Sequence, residues 1–186
     1  MGNFLIIHGS YGNQYENWFP WLHGQLEKGG KECIVPWFPT PRGQDYAVWE
    51  RLLKFYIEQG IVDEGTTIIT HSMSCIFVVK FCVENDFRIA KFISVAGFNN
   101  IPFSDNERLV DIVGSFYGEP ERFARFKDLC PERISFYSDN DPFVPFDKGR
   151  EFADMIGAEH RFMPGAGHFN WRTGQYEFEE ILEYLE

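Results

Sequence analysis

The 186-residue sequence is poor in positive charge: 17 lysines and arginines stand against 28 aspartates and glutamates, a formal net charge of −11. No cluster of basic residues stands out along the chain. Because nucleic acids and anionic membrane surfaces are bound mainly through lysine and arginine, the composition argues against both as partners. The acidic balance is also expected to disfavour anionic substrates mildly.

Long apolar runs and paired cysteines are missing as well. No run approaches the roughly 18 residues that a membrane-spanning helix requires, and Met1 to Phe4 lead into a predicted strand without the pattern of a secretory signal. The four cysteines form no C-x-x-C pair and no zinc-ligand spacing: they are Cys33, Cys75, Cys82 and Cys130. We therefore expect a cytoplasmic protein with no membrane span, no metal and no cofactor.

The sequence is rich in apolar and aromatic residues. Apolar side chains make up 44% of it and aromatic side chains 18%, including 20 phenylalanines. This composition excludes a disordered chain, and the length fits one domain over residues 1–186.

Short apolar runs alternate with amphipathic segments along the whole chain. The runs predict six strands, at residues 4–7, 32–35, 66–70, 90–96, 134–137 and 160–163. The amphipathic segments predict helices at residues 17–26, 46–56, 75–83, 147–156 and 176–185. Strands joined by crossovers of this length form a parallel sheet with helices on both faces, so we expect a doubly wound α/β domain.

Four chemically useful residues lie just after predicted strands: Ser10, Ser72, Asp141 and His168. Ligands of doubly wound sheets bind beyond the carboxyl ends of the strands. The placement of these residues therefore predicts a site at that edge.

Ser72 lies in the pentapeptide Thr70-His71-Ser72-Met73-Ser74, between a predicted strand and a predicted helix. A serine at such a sharp turn is typical of the nucleophile elbow, whose usual pattern is G-x-S-x-G. Thr70 and Ser74 replace both glycines here, so the pentapeptide alone is a weak signal. Because glycine relieves crowding in a tight turn, we expect this elbow to be strained or slightly opened.

Partners for Ser72 follow later strands in the order Ser72, Asp141, His168, which is the chain order of the catalytic residues in α/β-hydrolases. A serine nucleophile needs a histidine base, and the base needs a carboxylate that orients it. Each residue also has an ordinary structural explanation: aspartate is common in turns before proline, and His168 lies in a glycine-rich loop. The joint order favours the catalytic interpretation.

Several segments resemble a known family, the small serine hydrolases of the retinoblastoma-binding protein 9 and YdeN type, a compact branch of the α/β-hydrolase superfamily. The segments are His8-Gly9-Ser10, Trp18-Phe19-Pro20-Trp21-Leu22, Thr70-His71-Ser72, Asp139-Asn140-Asp141-Pro142-Phe143-Val144-Pro145 and Gly167-His168-Phe169. The resemblance implies Ser72 as nucleophile, Asp141 as orienting acid and His168 as base. It also implies six parallel strands in the order 2-1-3-4-5-6.

Other residues compete for two of these roles. Asp139 is an alternative acid, but the Pro142 ring fixes the backbone beside Asp141, and the family motif falls on Asp141. His71 is next to Ser72 in sequence, so its side chain is expected to point away from that of Ser72. His8 is expected to line the floor of the site, where packing or a supporting hydrogen bond is favoured over a catalytic role.

The proposed chemistry needs two backbone N–H groups to bind the oxyanion. Met73 at the start of the predicted helix and Ser10 after the first strand are the candidates, with Tyr11 as the next choice. Residues expected to form the substrate pocket are Met73, Tyr11, Phe98, Phe103, Phe116, Tyr117, Phe143 and Trp171. Residues 99–127 are the only candidate cover.

These features predict a monomeric carboxylesterase acting on small or medium acyl esters. Cleavage of amides or thioesters would use the same residues. The alternative is a protein-interaction module that has the hydrolase fold and little or no turnover, since fold does not fix function.

Overall fold

The computed structural model describes residues 3–101 and 113–185. Its sheet has six strands: β1 (Phe4–Ile7), β2 (Cys33–Ile34), β3 (Thr67–His71), β4 (Lys91–Val95), β5 (Glu132–Tyr137) and β6 (Glu159–Phe162). Every pairing is parallel, and the order is β2-β1-β3-β4-β5-β6. The predicted sheet is therefore confirmed, although β2 is only half as long as expected.

The helices lie between the strands, as expected from the alternation. They are α1 (Phe19–Lys28), α2 (Tyr46–Glu58), α3 (Ser74–Asn85), α4 (Pro120–Phe123), α5 (Phe126–Leu129) and α6 (Phe146–Ile156). The Asp45 side chain caps α2 by accepting a hydrogen bond from the Ala47 N–H, and α6 ends at Gly157, which adopts a φ of 60°.

The predicted closing helix at residues 176–185 is shorter than expected and is not an α-helix. The segment forms a 3₁₀-helix over Glu179–Tyr184 instead. Phe178, Ile181 and Leu185 are the buried residues of this segment, and they pack in the core layer under α1. Their spacing, three residues and then four, is also that of one face of an α-helix, so the pattern of buried residues does not by itself distinguish the two kinds of helix.

The core has two layers, one on each face of the sheet. Successive residues of β1 alternate between them: Leu5 and Ile7 join the layer that α2, α3 and α6 cover, whereas Phe4 and Ile6 join the layer under α1. This alternation follows from the pleat of a strand. Helices therefore cover both faces, as predicted.

Helix α3 is buried almost all around its axis. Eight of its residues are buried: Ser74, Cys75, Ile76, Phe77, Val78, Val79, Phe81 and Cys82. Its N-terminus, which follows β3 directly, is thus fixed against the edge of the sheet where the loops after β1, β5 and β6 also lie.

Residues 3–101 and 113–185 lack two kinds of feature. No helix in these ranges is long and apolar enough to cross a membrane. No group of three or more histidine, cysteine, aspartate or glutamate side chains is placed there to hold a metal ion.

Candidate active site

Ser72 occupies the turn between the end of β3 and the start of α3. Its φ is 60°, in the left-handed region that a residue with a side chain rarely adopts, and its N–H donates to the Val95 carbonyl at 2.8 Å. A left-handed non-glycine residue costs on the order of 1–3 kcal/mol, so the surrounding packing must hold it in place. The sharp turn is the one the sequence predicts.

Gly9, in the loop after β1, lies against this turn. A Cβ atom added at Gly9 would lie 2.9 Å from the Ser72 Cβ and 3.0 Å from the His71 carbonyl oxygen. Such contacts are too close for real side chains, so only glycine lets the two loops approach each other here.

The structure accommodates both residues that replace the elbow glycines. Neither Thr70 nor Ser74 has a positive φ, so neither needs the conformational freedom of glycine. The Thr70 hydroxyl lies 3.2 Å from the Ile93 carbonyl oxygen. The Ser74 Oγ accepts from the His71 N–H at 3.0 Å and lies 2.9 Å from the Ile7 carbonyl oxygen. Both hydroxyls therefore make hydrogen bonds within the fold.

Three side chains from three loops form one hydrogen-bonded chain. The His168 Nε2 lies 3.1 Å from the Ser72 Oγ, and the His168 Nδ1 lies 2.7 Å from the Asp141 Oδ2. Only 8% of the His168 side chain and 2% of the Asp141 side chain are exposed. The arrangement can carry a proton from the hydroxyl to the imidazole while the carboxylate holds the second nitrogen.

The second carboxylate oxygen of Asp141 is also occupied. Oδ1 accepts hydrogen bonds from the backbone N–H groups of Phe143 at 2.8 Å and Val144 at 3.0 Å. These two donors fix the carboxylate plane, which leaves Oδ2 to face His168. The Phe143 ring lies edge-on to the imidazole, with ring centroids 5.0 Å apart.

The competing acid, Asp139, faces a different group. Its Oδ1 accepts the Gly165 N–H at 2.8 Å, and the neighbouring Asn140 Oδ1 accepts the Gly167 N–H at 2.7 Å. Asp139 and Asn140 thus tie the loop after β5 to the loop that carries His168.

The competing histidines are buried on either side of the site. The His8 Nε2 accepts the Phe38 N–H at 3.0 Å, and its Nδ1 lies 2.9 Å from the Gly9 carbonyl oxygen. Burial lowers the pKa of His8, partly offset by the bond to the Gly9 carbonyl. The polar contact that His71 makes across the site is with the main chain: its Nε2 lies 2.8 Å from the His168 carbonyl oxygen.

Burial lowers the pKa of His71 to about 3, and the nearby His168 lowers it in the same direction. His71 is therefore neutral at ordinary pH. Because it carries no charge, it does not oppose a positive charge on His168, whose ring centroid is 4.8 Å away.

A short hydrogen-bonded network holds the loop after β1. The Tyr11 N–H donates to the Thr40 Oγ1 at 2.7 Å, and the Gln44 Nε2 donates to the Ser10 Oγ at 2.7 Å. The Tyr11 N–H is thus engaged. In the part of the chain that the structure describes, the N–H groups of Ser10 and Met73 donate to no other residue.

A cavity of about 470 Å³ opens above Ser72 and His168. Four predicted pocket residues line it: Tyr11, Phe98, Phe143 and Trp171. Phe98 is only 3% exposed and lies deep, whereas the other three are about half exposed and surround the mouth.

Three other predicted wall residues, all within the described part of the chain, do not line this cavity. Met73 and Phe116 are fully buried in the core, and Tyr117 packs against the core from a half-buried position. Phe103 lies outside the described residues.

The lining also includes residues that the sequence reasoning missed: Glu16, Asn17, Val113, Val144, Asn170 and Arg172. Most are close in sequence to Ser10, Asp141 or His168, and this proximity could have identified them as lining residues. Val144 and Val113 join Phe98 on the apolar part of the wall. Glu16 and Arg172 add opposite charges, and burial raises the pKa of Glu16.

Comparison with known proteins places this chain in a family. The serine hydrolase family model matches residues 4–186. The serine hydrolase RBBP9 of Rattus norvegicus is 26% identical over 184 residues, covering 97% of this chain and 92% of the rat protein. YdeN of Bacillus subtilis strain 168 is 25% identical over 167 residues, covering 88% of this chain and 84% of YdeN.

A solved structure agrees with the sequence comparisons. The crystal structure of the ydeN gene product from Bacillus subtilis has a TM-score of 0.85 at 23% identity, covering 100% of this chain and 97% of that chain. This likeness gives the fold, and the family match extends over nearly the whole sequence. The chain therefore belongs to the serine hydrolase family of enzymes.

Proposed function

We propose that the protein is a carboxylesterase that cleaves small or medium acyl esters through an acyl-enzyme on Ser72. The observation that carries the proposal is the hydrogen-bonded chain from Ser72 Oγ through His168 to Asp141, placed at the floor of a cavity. In this proposal Ser72 is the nucleophile, His168 the general base and Asp141 the residue that orients the base.

The reaction begins when Ser72 Oγ attacks the ester carbonyl carbon. His168 Nε2 removes the hydroxyl proton as the bond forms, and Asp141 stabilises the resulting imidazolium and keeps the proton on Nδ1. The same imidazolium then protonates the departing alkoxide, which leaves as the alcohol. Water, activated by the neutral His168, finally attacks the acyl-enzyme and releases the carboxylic acid.

The negative oxygen of the tetrahedral intermediate requires donors that are already in place. The N–H groups of Met73 and Ser10 support this role because neither donates to another described residue. Met73 also precedes the first residue of α3, where the helix dipole favours negative charge. Tyr11 is a poorer candidate, since its N–H is engaged by Thr40. One such donor typically contributes about 3 kcal/mol to transition-state stabilisation.

The cavity supports a limit on substrate size. Ligand pockets generally span about 300–1,000 Å³, and this cavity of about 470 Å³ lies in the lower half of that range. Phe98, Val113 and Val144 offer an apolar surface for an acyl chain. These features favour short and medium acyl groups over long ones.

We also propose that residues 1–186 form one hydrolase domain, which the family match over residues 4–186 supports.

The proposal is tested with p-nitrophenyl esters from acetate to laurate, using the wild type and Ser72→Ala. We expect kcat/KM to be highest for short and medium esters, and Ser72→Ala to lose at least about 10⁴-fold in kcat. A folded wild type that hydrolyses none of the esters above the buffer rate would contradict the proposal. Equal turnover by Ser72→Ala would contradict it too. An otherwise matched amide and thioester series would show whether ester cleavage is preferred.

A further inference from the structure

The segment that carries His168 has no regular secondary structure to hold it. Gly167 and Phe169, on either side of His168, both have left-handed φ values, 60° and 50°. A short loop with two such residues needs contacts with other elements if the imidazole is to stay in one place. Those contacts therefore decide how well His168 is positioned.

Two buried aromatic side chains donate to consecutive carbonyl groups of this segment. The His71 Nε2 lies 2.8 Å from the His168 carbonyl oxygen. The Trp18 Nε1 donates to the Phe169 carbonyl oxygen at 3.1 Å. Since a carbonyl oxygen only accepts, the His71 proton must be on Nε2. Both donors come from elements distant in sequence, the end of β3 and the residue before α1.

The donors are themselves held rigidly. Trp18 is fully buried and His71 is 4% exposed. Trp18 packs edge-on against Phe19 and Phe178, at ring-centroid distances of 4.7 and 5.6 Å, and His71 packs against Phe19 at 5.9 Å. The low pKa of His71 keeps its ring neutral, so protonation at ordinary pH does not disturb this arrangement.

We propose that His71 and Trp18 are positioning residues that hold His168 in reach of its partners, an inference that rests on the proposed function of His168 as the base. The imidazole is attached to the backbone that the two donors fix, so a backbone shift at residue 168 moves Nε2 away from the Ser72 Oγ. A displacement of roughly 1 Å at a reacting group costs on the order of 10²-fold in rate.

Single variants of the full chain separate the donor from the packing. His71→Met removes the N–H at similar volume, whereas His71→Gln keeps an N–H near the position of Nε2. Trp18→Phe removes the indole N–H and keeps an aromatic ring. His23→Met is the matched control, because His23 lies partly exposed on α1 and pairs with Glu27.

The measurements are kcat and KM for p-nitrophenyl butyrate and the low-field proton resonance of His168 Nδ1–H. We expect His71→Met to lower kcat by about 10²-fold with little change in KM, and Trp18→Phe to lower it about tenfold. We expect His71→Gln to recover most of the loss and His23→Met to behave as the wild type. The resonance should be lost in His71→Met and kept in His71→Gln, since a mobile ring exposes the 2.7 Å bond to Asp141 to exchange.

The inference would be overturned if folded His71→Met and folded Trp18→Phe both kept the kcat of the wild type and its His168 Nδ1–H resonance. Equal impairment of His71→Gln and His71→Met would overturn it as well, because the donor would then be irrelevant. If His71→Met does not fold, Trp18→Phe decides alone. If the wild type hydrolyses no ester, the proposed function fails separately, and the resonance in the variants still supports or overturns the positioning role.

Discussion

Replacing Asp141 by asparagine should abolish most of the activity by changing which nitrogen of His168 carries the proton. The loop after β5, which carries Asp141, should keep its conformation. The Oδ1 position accepts two backbone N–H groups, from Phe143 and Val144, whereas the Oδ2 position faces the His168 Nδ1. In Asp141→Asn the amide oxygen must stay at the Oδ1 position, because turning the amide group would leave both N–H groups without an acceptor. Each unsatisfied buried group costs about 1–3 kcal/mol, so the orientation is fixed.

The amide NH₂ group then faces His168 Nδ1, so this nitrogen has to accept a hydrogen bond and cannot carry a proton. The imidazole proton consequently moves to Nε2, which lies opposite the Ser72 Oγ and can no longer take its proton. In serine proteases the same substitution at the triad lowers kcat about 10⁴-fold. This loss corresponds to about 5.5 kcal/mol of transition-state stabilisation.

The assay is the kcat for p-nitrophenyl butyrate, with melting temperature as the test of folding. Asp139→Asn is the matched control, because the amide oxygen of asparagine can still accept the Gly165 N–H. We expect kcat to change less than about tenfold, a change of under about 1.4 kcal/mol in the activation free energy. The reasoning is refuted if folded Asp141→Asn keeps more than about a tenth of wild-type kcat, or if Asp139→Asn is the more damaging change.

Three further predictions follow from the surroundings of Ser72. Gly9→Ala would put a Cβ atom 2.9 Å from the Ser72 Cβ, so we expect a lower melting temperature and about 10²-fold slower serine labelling; an unchanged labelling rate would contradict this. Ser74→Ala leaves the buried His71 N–H without its acceptor and should lower the free energy of unfolding in urea by about 1–3 kcal/mol; a change within error would show that the hydroxyl is dispensable. Acid should destabilise the fold, because the pKa of His71 is about 3 when folded and near 6.5 when unfolded, so the unfolded chain binds more protons between these values. The free energy of unfolding should fall below pH 6.5 by up to about 1.4 kcal/mol per pH unit from this group, and His71→Gln should flatten the slope in urea titrations; an equal slope in the two proteins would contradict the assignment.

Much of the fold could be predicted because strand and helix periods differ clearly in this chain. Apolar runs such as Phe4–Ile7 are buried on both sides, as the parallel sheet requires. The C-terminal segment, residues 176–185, was predicted as a helix from its amphipathic pattern. Its buried residues, Phe178, Ile181 and Leu185, are three and then four positions apart, so the sequence pattern does not reveal that the helix is of the 3₁₀ kind.

The candidate site was predictable as a set of residues but not as a set of contacts. Chain order and strand ends indicated Ser72, Asp141 and His168, because parallel strands bring their following loops to one edge. The sequence could not show that Asp139 faces Gly165, since that choice depends on side-chain direction within one loop. The distances that support the choice of Asp141 come from the structure.

The walls of the cavity were less predictable. Phe116 and Phe98 look equivalent in the sequence, yet Phe116 is buried in the core and Phe98 lines the cavity. The contact between His71 and the His168 carbonyl joins residues 97 positions apart. Local pattern carries no information on such pairings, because they depend on how the layers pack.

The central claim, an activated Ser72, is tested most directly by fluorophosphonate labelling followed by intact-mass measurement. The wild type, Ser72→Ala and His168→Ala are compared after each variant is shown to be folded. The account predicts one adduct on the wild type and none on either variant. A folded wild type that stays unlabelled, or an adduct that persists in Ser72→Ala, would contradict it and favour a hydrolase fold used for binding a protein partner.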